Sequence, residues 1–408
     1  MTQRVVAFLG ASSDQAPSYR AARDLGFHVI GIDGNPKAFA FRFADETHNI
    51  SVRDHQAIQR ALQGRRVDGF YSQASDSARL AEFHLTEAFD AKKKVSIESV
   101  KASSDKAFFV KALESAGLPH QRQVAGSSAE ALRAQVAEWS LPFVVKPNDS
   151  SGSKGVRSIE ALDELDAAFH AAKRFSLSEV VLCEELVRGQ HYSVDAFIRG
   201  RRPEFMTVSR KVMTEPPLLI PLHYVMPAGV PAELEARLEA SVSRICDALR
   251  IAAGPITCDV VVKDSGEIYF IEMGARAGGN AIGLMMERAY APNFVKASVG
   301  LAAGLDIPVR ARRRRHAALI TLASRMAGRF QSVKGLDRLA SENLILEHEV
   351  FYEKEEPIEA LTDGSNKLGY VILEADTAAD LLCRFKDVRR GLQIEVKTGD
   401  GILDLDLL

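Results

Sequence analysis

The chain has 408 residues, 46% of them apolar, and its 52 basic and 54 acidic side chains leave a formal charge of −2. That length supports two to four compact units, and so balanced a charge gives no general attraction to nucleic acid or to an anionic membrane surface. No apolar stretch approaches the roughly 18 residues of a spanning helix, and the chain enters a strand at once without a leader pattern, so a cytoplasmic protein is expected. Residues 4–9 predict a short strand, Gly10-Ala11-Ser12-Ser13 a tight turn, residues 17–25 a helix, and residues 28–32 a second strand ending at Asp33. A dinucleotide fingerprint needs Gly-x-Gly-x-x-Gly at this turn; only Gly10 is present, so nicotinamide binding is not expected. The turn still sets backbone amides at a helix N-terminus, where an anionic group can dock. A strand over 67–71 then leads into the loop 73–77.

Ser104-Asp105-Lys106 opens an amphipathic segment over 106–116 and delivers one lysine. Phe143-Val144-Val145-Lys146-Pro147 is a buried-strand pattern ending in a second lysine, and it opens into Ser150-Ser151-Gly152-Ser153-Lys154-Gly155. A strand brings the ammonium to a fixed point, while glycine and serine let backbone N–H groups and hydroxyls close around phosphate oxygens. Taken alone the loop reads equally as a plain turn. Residues 180–187 form an apolar strand that runs into Glu184 and Glu185, an edge able to read adenine or simply a charged strand end. Thr257-Cys258-Asp259-Val260-Val261-Val262 and the run 268–276 predict two strands joined by the turn Lys263-Asp264-Ser265-Gly266. If they pair as a hairpin, Asp259 and Glu272 converge, and two carboxylates beside Arg276 suit a divalent cation and a γ-phosphate. Both acids sit in apolar strands, where an unpaired charge is costly.

Lysine, glycine loop, acidic hinge and paired carboxylates, followed by Arg276 and Asn280, come in an order that resembles the ATP-grasp superfamily from about residue 104 to 304, and within it the carboxylate–amine ligases. The resemblance implies an α/β (α+β) chain with an ATP-grasp fold. Its parts would be an N-terminal Rossmann-like βαβ domain over 1–100 lining the acceptor site, an ATP-grasp domain over 101–305 with its lid at about 115–187, and a small C-terminal lobe over 306–408. It implies ATP and Mg2+, or Mn2+ in its place. Lys106 and Lys146 would contact phosphates, and the loop with Ser151, Gly152, Ser153 and Gly155 would cover them. Glu184, with the backbone of Glu185 and Leu186, would hold adenine. Asp259 and Glu272 would bind the metal, and Arg276 and Asn280 would serve the transferred phosphoryl group and the tetrahedral intermediate. Many relatives carry a ribose-binding glutamate where this chain has His191, and an asparagine where it has Gly274.

The implied reaction joins a small-molecule carboxylate to an amine through an acyl phosphate, releasing ADP and phosphate. A bicarbonate-activating, carbamoyl-phosphate-like enzyme and a catalytically weak ATP-binding sensor are the alternatives, and the resemblance makes a homodimer reasonable. There is no Gly-x-x-x-x-Gly-Lys-Ser/Thr loop, no His-Arg-Asp or Asp-Phe-Gly kinase set, no His-Glu-x-x-His and no Gly-x-Ser-x-Gly elbow. Residues 209–224 read as a polar, irregular stretch, either an acceptor wall in which Arg210 and Lys211 meet a second carboxylate or a solvated loop. Arg310 and Arg312 to Arg315 read as a solvated connector, since no aromatic platform is interleaved with them. Residues 317–323, 344–351 and 370–374 predict strands and 377–388 a helix. Cys183, Cys246, Cys258 and Cys383 lack Cys-x-x-Cys spacing and read as reduced core residues.

Overall fold

β1 (Val5–Leu9), β2 (His28–Asp33), β3 (Glu46–Asn49) and β4 (Gly69–Tyr71) form a parallel sheet in the order β3-β2-β1-β4. They belong to a computed structural model that describes residues 3–93, 95–399 and 401–407. The predicted βαβ opening is present, with the helix Ala16–Asp24 carrying proline in its first turn, where a missing N–H costs nothing. Phe8, Tyr19 and Tyr71 pack ring against ring on one face of this sheet. The strand expected over 67–71 narrows to Gly69–Tyr71.

β5 (Gln123–Gly126), β6 (Phe143–Pro147), β7 (Arg157–Ile159) and β8 (Val181–Glu185) make an antiparallel sheet in the order β5-β8-β6-β7. All five residues of β6 are buried, which is why its pattern is a continuous apolar run. Helices Ala129–Val136 and Leu165–Lys173 close over its inner face through Leu132, Val136 and Phe169.

The largest sheet is built from β9 (Gln190–Arg199), β10 (Arg202–Met213), β11 (Pro221–Met226), β12 (Ala253–Val262), β13 (Ile268–Gly274) and β14 (His316–Ala323). The chain continues through β15 (Gly328–Lys334), β16 (Glu347–Val350), β17 (Pro357–Ile358), β18 (Lys367–Ala375), β19 (Gln393–Thr398) and β20 (Gly401–Asp406). The eight-stranded order is β13-β12-β9-β10-β11-β14-β18-β16, so strands beyond residue 305 extend this sheet, while β17-β15-β19-β20 form a smaller one. The stretch 209–224 is therefore corrected: most of it lies in β10 and β11, which pair antiparallel in mid-sheet. Its polar residues looked irregular because they alternate on one face above a cleft, while Val208 and Val225 pack into cores.

One face of the large sheet carries Val194, Ile256, Val260 and Phe270 against helices Lys106–Ser115 and Ala232–Ala248. The opposite face carries Phe197 and Phe205 against helices Ile282–Tyr290 and Phe294–Ala302. Farther along the same strands that opposite face turns polar, and there the site forms. In the C-terminal part the strand predicted over 344–351 shortens to Glu347–Val350, because Leu344 and Ile345 close the end of the helix Leu336–Ser341. The predicted final helix runs Ala378–Gly391, with the Thr377 hydroxyl accepting from the Asp380 amide at 3.1 Å. Cys183, Cys246 and Cys258 are buried and free; Cys383 is exposed on the outer face of that helix, correcting its assignment to the core. The arginine run connects a helix to β14, with Arg315 bridging Glu374 at 2.6 Å and Asp376 at 2.8 Å. Among the described residues no helix is long and apolar enough to cross a membrane.

Candidate active site

β12 and β13 pair as the hairpin pattern requires, and Asp259 stands directly opposite Glu272, just before a bulge in the register. Cross-strand partners lie within about 5.5 Å at their Cβ atoms, so the two carboxylates share one patch of the cleft floor. Their side chains are 49% and 32% exposed, unlike their apolar neighbours. Each has a cation. Lys211, almost fully buried on β10, places Nζ 2.5 Å from Asp259 Oδ1. Lys106 places Nζ 3.4 Å from Glu272 Oε2 and donates to the carbonyl of Ser150 at 2.5 Å. Lys106 is held in the first turn of its helix, where Asp105 caps the Phe108 amide at 2.8 Å. Beneath them Asp195 accepts from the Ser193 hydroxyl at 2.8 Å, and burial pushes its carboxyl above the usual range.

Lys146 and Glu184 meet across β6 and β8 at 2.5 Å, with side chains 5% and 4% exposed. Glu184 Oε1 is buried with no hydrogen-bond partner, an acceptor left open to a donor. The Glu185 amide donates to Arg122 O at 3.0 Å as part of the β5 pairing, so of the expected backbone contacts this N–H is already committed. His191 is half-buried at the start of β9, and burial, then the nearby Lys211 charge, lowers its pKa. The glycine loop bends through left-handed conformations at Gly152, Ser153 and Gly155. It is tied down at two points: Gly152 O accepts from the Gly364 amide at 2.7 Å, and Ser153 Oγ donates to Leu219 O at 3.0 Å.

Arg276 follows β13 and is gripped by Asp76 of the N-terminal loop, Nε to Oδ1 at 3.0 Å and Nη2 to Oδ2 at 2.7 Å. A Cβ on Gly274 would lie 2.9 Å from Arg276 Cζ and 3.2 Å from Asp76 Oδ1. The asparagine of many relatives therefore has no room here: the ion pair fills its space. Asn280, in a left-handed conformation, donates its amide to Asp14 at 2.8 Å and its side chain to Tyr224 Oη at 2.7 Å. A cavity of about 490 Å3 unites these pieces, and its wall takes in Ser151, Gly152, Ser153, Asp259, Glu272, Arg276 and Asn280. Lys106 meets this wall through Glu272. Of the other expected site residues, Gly155, Lys146, Glu184, Glu185, Leu186 and His191 are not part of that wall.

A family model described as an ATP-grasp domain matches residues 139–283, the segment that holds the glycine loop, hinge and paired acids. The chain carries an ATP-grasp domain. A second model, L-amino acid ligase C-terminal domain 2, matches residues 320–397. An uncharacterized protein, y4rH, of Sinorhizobium fredii is 26% identical over 68% of this chain, which spans 58% of that relative's length. A D-alanine–D-alanine ligase of Ectopseudomonas mendocina is 26% identical over 67% of this chain and 92% of its own. The crystal structure of an L-amino acid ligase from Bacillus licheniformis superposes with a TM-score of 0.82 at 16% identity, covering 98% of this chain and all of that one, so the ATP-grasp fold is shared.

Within the ATP-grasp cleft two contributors escaped sequence reasoning, Asp76 and Asp14, which come from turns that follow strands of the N-terminal sheet, whereas Tyr224 of β11 belongs to the stretch 209–224 read as an acceptor wall or a solvated loop. The loop 73–77 was singled out as lining the acceptor end, but nothing local distinguishes Asp76 from any loop acid. Lys211 was noticed for a second carboxylate; in the ATP-grasp domain it pairs with Asp259 instead.

Proposed function

We propose that this protein is an ATP-dependent carboxylate–amine ligase that forms an amide through an acyl phosphate and releases ADP and phosphate. The observation that carries this is Asp259 set opposite Glu272 in a cleft that the glycine loop also lines. Relatives named for joining amino acids support an amino acid as the acid partner. Among the described residues no group of three or more His, Cys, Asp or Glu forms a metal cage. Two half-exposed carboxylates nonetheless fit Mg2+, or Mn2+, which binds through one or two protein oxygens and completes its shell with phosphate and water. Bound there, the ion would neutralise charge on the triphosphate.

The chain's own groups have separate tasks. Lys106 and Lys146 meet the phosphates, and Lys211, released from Asp259, adds a third cation as charge moves to the transferred phosphoryl group. Glu184 Oε1 accepts from the adenine amino group, with the backbone of Leu186 beside it and Glu185 at the exposed strand end. His191 sits at the ribose edge. The substrate carboxylate attacks the γ-phosphorus, the bond to the ADP oxygen breaks, and an amine then attacks the acyl carbon to expel phosphate. Arg276 and Asn280 hold the oxyanion of that second step. Ser151, Gly152, Ser153 and Gly155 close the loop that keeps water from the acyl phosphate. Residues 1–100, 101–305 and 306–408 are the units of this enzyme, with the lid at about 115–187.

The test is Mg2+-dependent ADP release from purified protein across carboxylates crossed with amines, with product masses recorded. Release that needs one acid and one amine, with a product lighter than their sum by water, supports the ligase. Release with bicarbonate alone would move the assignment to the carboxylase-like alternative, and tight ATP binding without turnover would move it to a sensor.

A further inference from the structure

We propose that Asp76 is a positioning residue for the reacting centre: it fixes the Arg276 guanidinium in the space left open by Gly274, so that the N-terminal sheet supplies part of the catalytic geometry. The two side chains are 200 positions apart in sequence, yet they form a two-point fork with side-chain exposures of 11% and 7%. A guanidinium has five N–H donors. Two go to Asp76 and one reaches the Ala277 carbonyl at 3.3 Å, which leaves one N–H on each terminal nitrogen of a side chain that lines the cleft. A pair of donors at one end of a planar group suits two oxygens of a phosphoryl or carboxyl group. Asp76 thus orients Arg276 without using the end that faces substrate.

The surrounding backbone is built to keep this arrangement. The Ala74 amide donates to Ala277 O at 3.2 Å, Gln73 Nε2 donates to Gly278 O at 3.1 Å, and Asp14 takes the Asn280 amide at 2.8 Å. Gln15 Nε2 in turn donates to Gln73 O at 2.9 Å and ties the loop to the first βα turn. The segment 276–280 is clasped along its length by loops from the N-terminal sheet. Gly274 is the complementary feature, since even a methyl there meets Cζ at 2.9 Å and Nε at 3.1 Å. The exchange of a common asparagine for glycine is then the condition for the fork, and not a loss of function.

This role rests on the ligase activity proposed above, so wild-type ADP release is measured first; none with any acid and amine sinks both. Given an active wild type, Asp76→Asn keeps the size of the side chain but loses its charge and one acceptor oxygen. It should lower kcat for ADP release by about 100-fold, the usual consequence of a misplaced catalytic group, with KM for ATP within about twofold of wild type. Asp76→Glu should recover part of that loss, and the double variant Asp76→Asn/Arg276→Ala should be no slower than Arg276→Ala alone. Gly274→Ala keeps the Asp76 carboxylate but crowds the fork, its Cβ meeting Arg276 Cζ at 2.9 Å and Asp76 Oδ1 at 3.2 Å, and should reproduce the kcat loss, which covers the case that Asp76→Asn does not fold. Unchanged kcat in Gly274→Ala, or in a folded Asp76→Asn, overturns the inference, as does an additive double variant.

Discussion

Replacing Glu272 by alanine should abolish Mg2+-dependent ADP release while leaving the fold intact, and the structure gives both sides of that expectation a size. Its ion partner Lys106 is 3.4 Å away, a separation worth about 5 kcal/mol of gross attraction at an effective dielectric of about 20. The carboxylate is 32% exposed, however, and was hydrated before folding, so the net contribution falls to about 1 kcal/mol or less. Lys106 also keeps its 2.5 Å bond to the Ser150 carbonyl when the acid is removed. The melting temperature should therefore move by no more than about 3 °C. If Glu272 holds the metal as proposed, activity should fall by about 1000-fold or more, or about 4 kcal/mol in the barrier, because one of the two proposed carboxylate ligands and one negative charge would be gone from the site. Coupled ADP detection at saturating ATP, with a thermal melt on the same samples, separates the two effects. Turnover within tenfold of wild type would remove Glu272 from the reaction. A melting drop of about 10 °C would make it a structural residue instead.

Lys146→Met strands the buried Glu184 carboxylate, so urea unfolding should show a loss of about 3–5 kcal/mol together with loss of ATP binding. Adding Glu184→Leu should return most of the stability and none of the binding; failure to recover stability would contradict the buried-pair account. His191 has a folded pKa below its unfolded value, so the unfolded chain takes up its proton first as pH falls. Its contribution is full above the unfolded pKa of about 6.5 and is lost as pH drops towards the folded value. Urea stability should consequently fall more steeply between pH 7 and 5 in wild type than in His191→Gln, and parallel curves would refute this. Gly155→Ala should destabilise the loop by about 1–3 kcal/mol, since its φ is +69° and a Cβ would meet Ala172 Cα at 3.0 Å. Limited proteolysis within 150–155 should accelerate in that variant, and an unchanged cleavage rate would count against a tightly seated loop.

Much of the site was legible because its parts are local. β6 announced itself as a continuous apolar run ending in Lys146, and the Lys263-Asp264-Ser265-Gly266 turn bounded a hairpin in which Asp259 and Glu272 face one another. The run 209–224 was harder to read. Its alternation of polar and apolar residues is a strand pattern, but Lys211 and Tyr224 on one face resemble a solvated loop unless the cleft above them is known. Cys383 was misplaced for the converse reason: a helix has an outer face, and composition alone does not say which residue takes it.

The sequence by itself determined the order of the chemical parts, the strand and helix patterns that carry them, and the kinship they imply, because periodicity, capping and turn chemistry act over a few residues. Only the tertiary structure decided which charges meet. Lys211 settled on Asp259 from 48 residues away, and Asp76 on Arg276 from 200. Such pairs depend on how separate sheets dock and on the space a single glycine leaves between them. Neither leaves a periodic trace in the chain, since the energy of a buried ion pair is set by distance and desolvation in three dimensions.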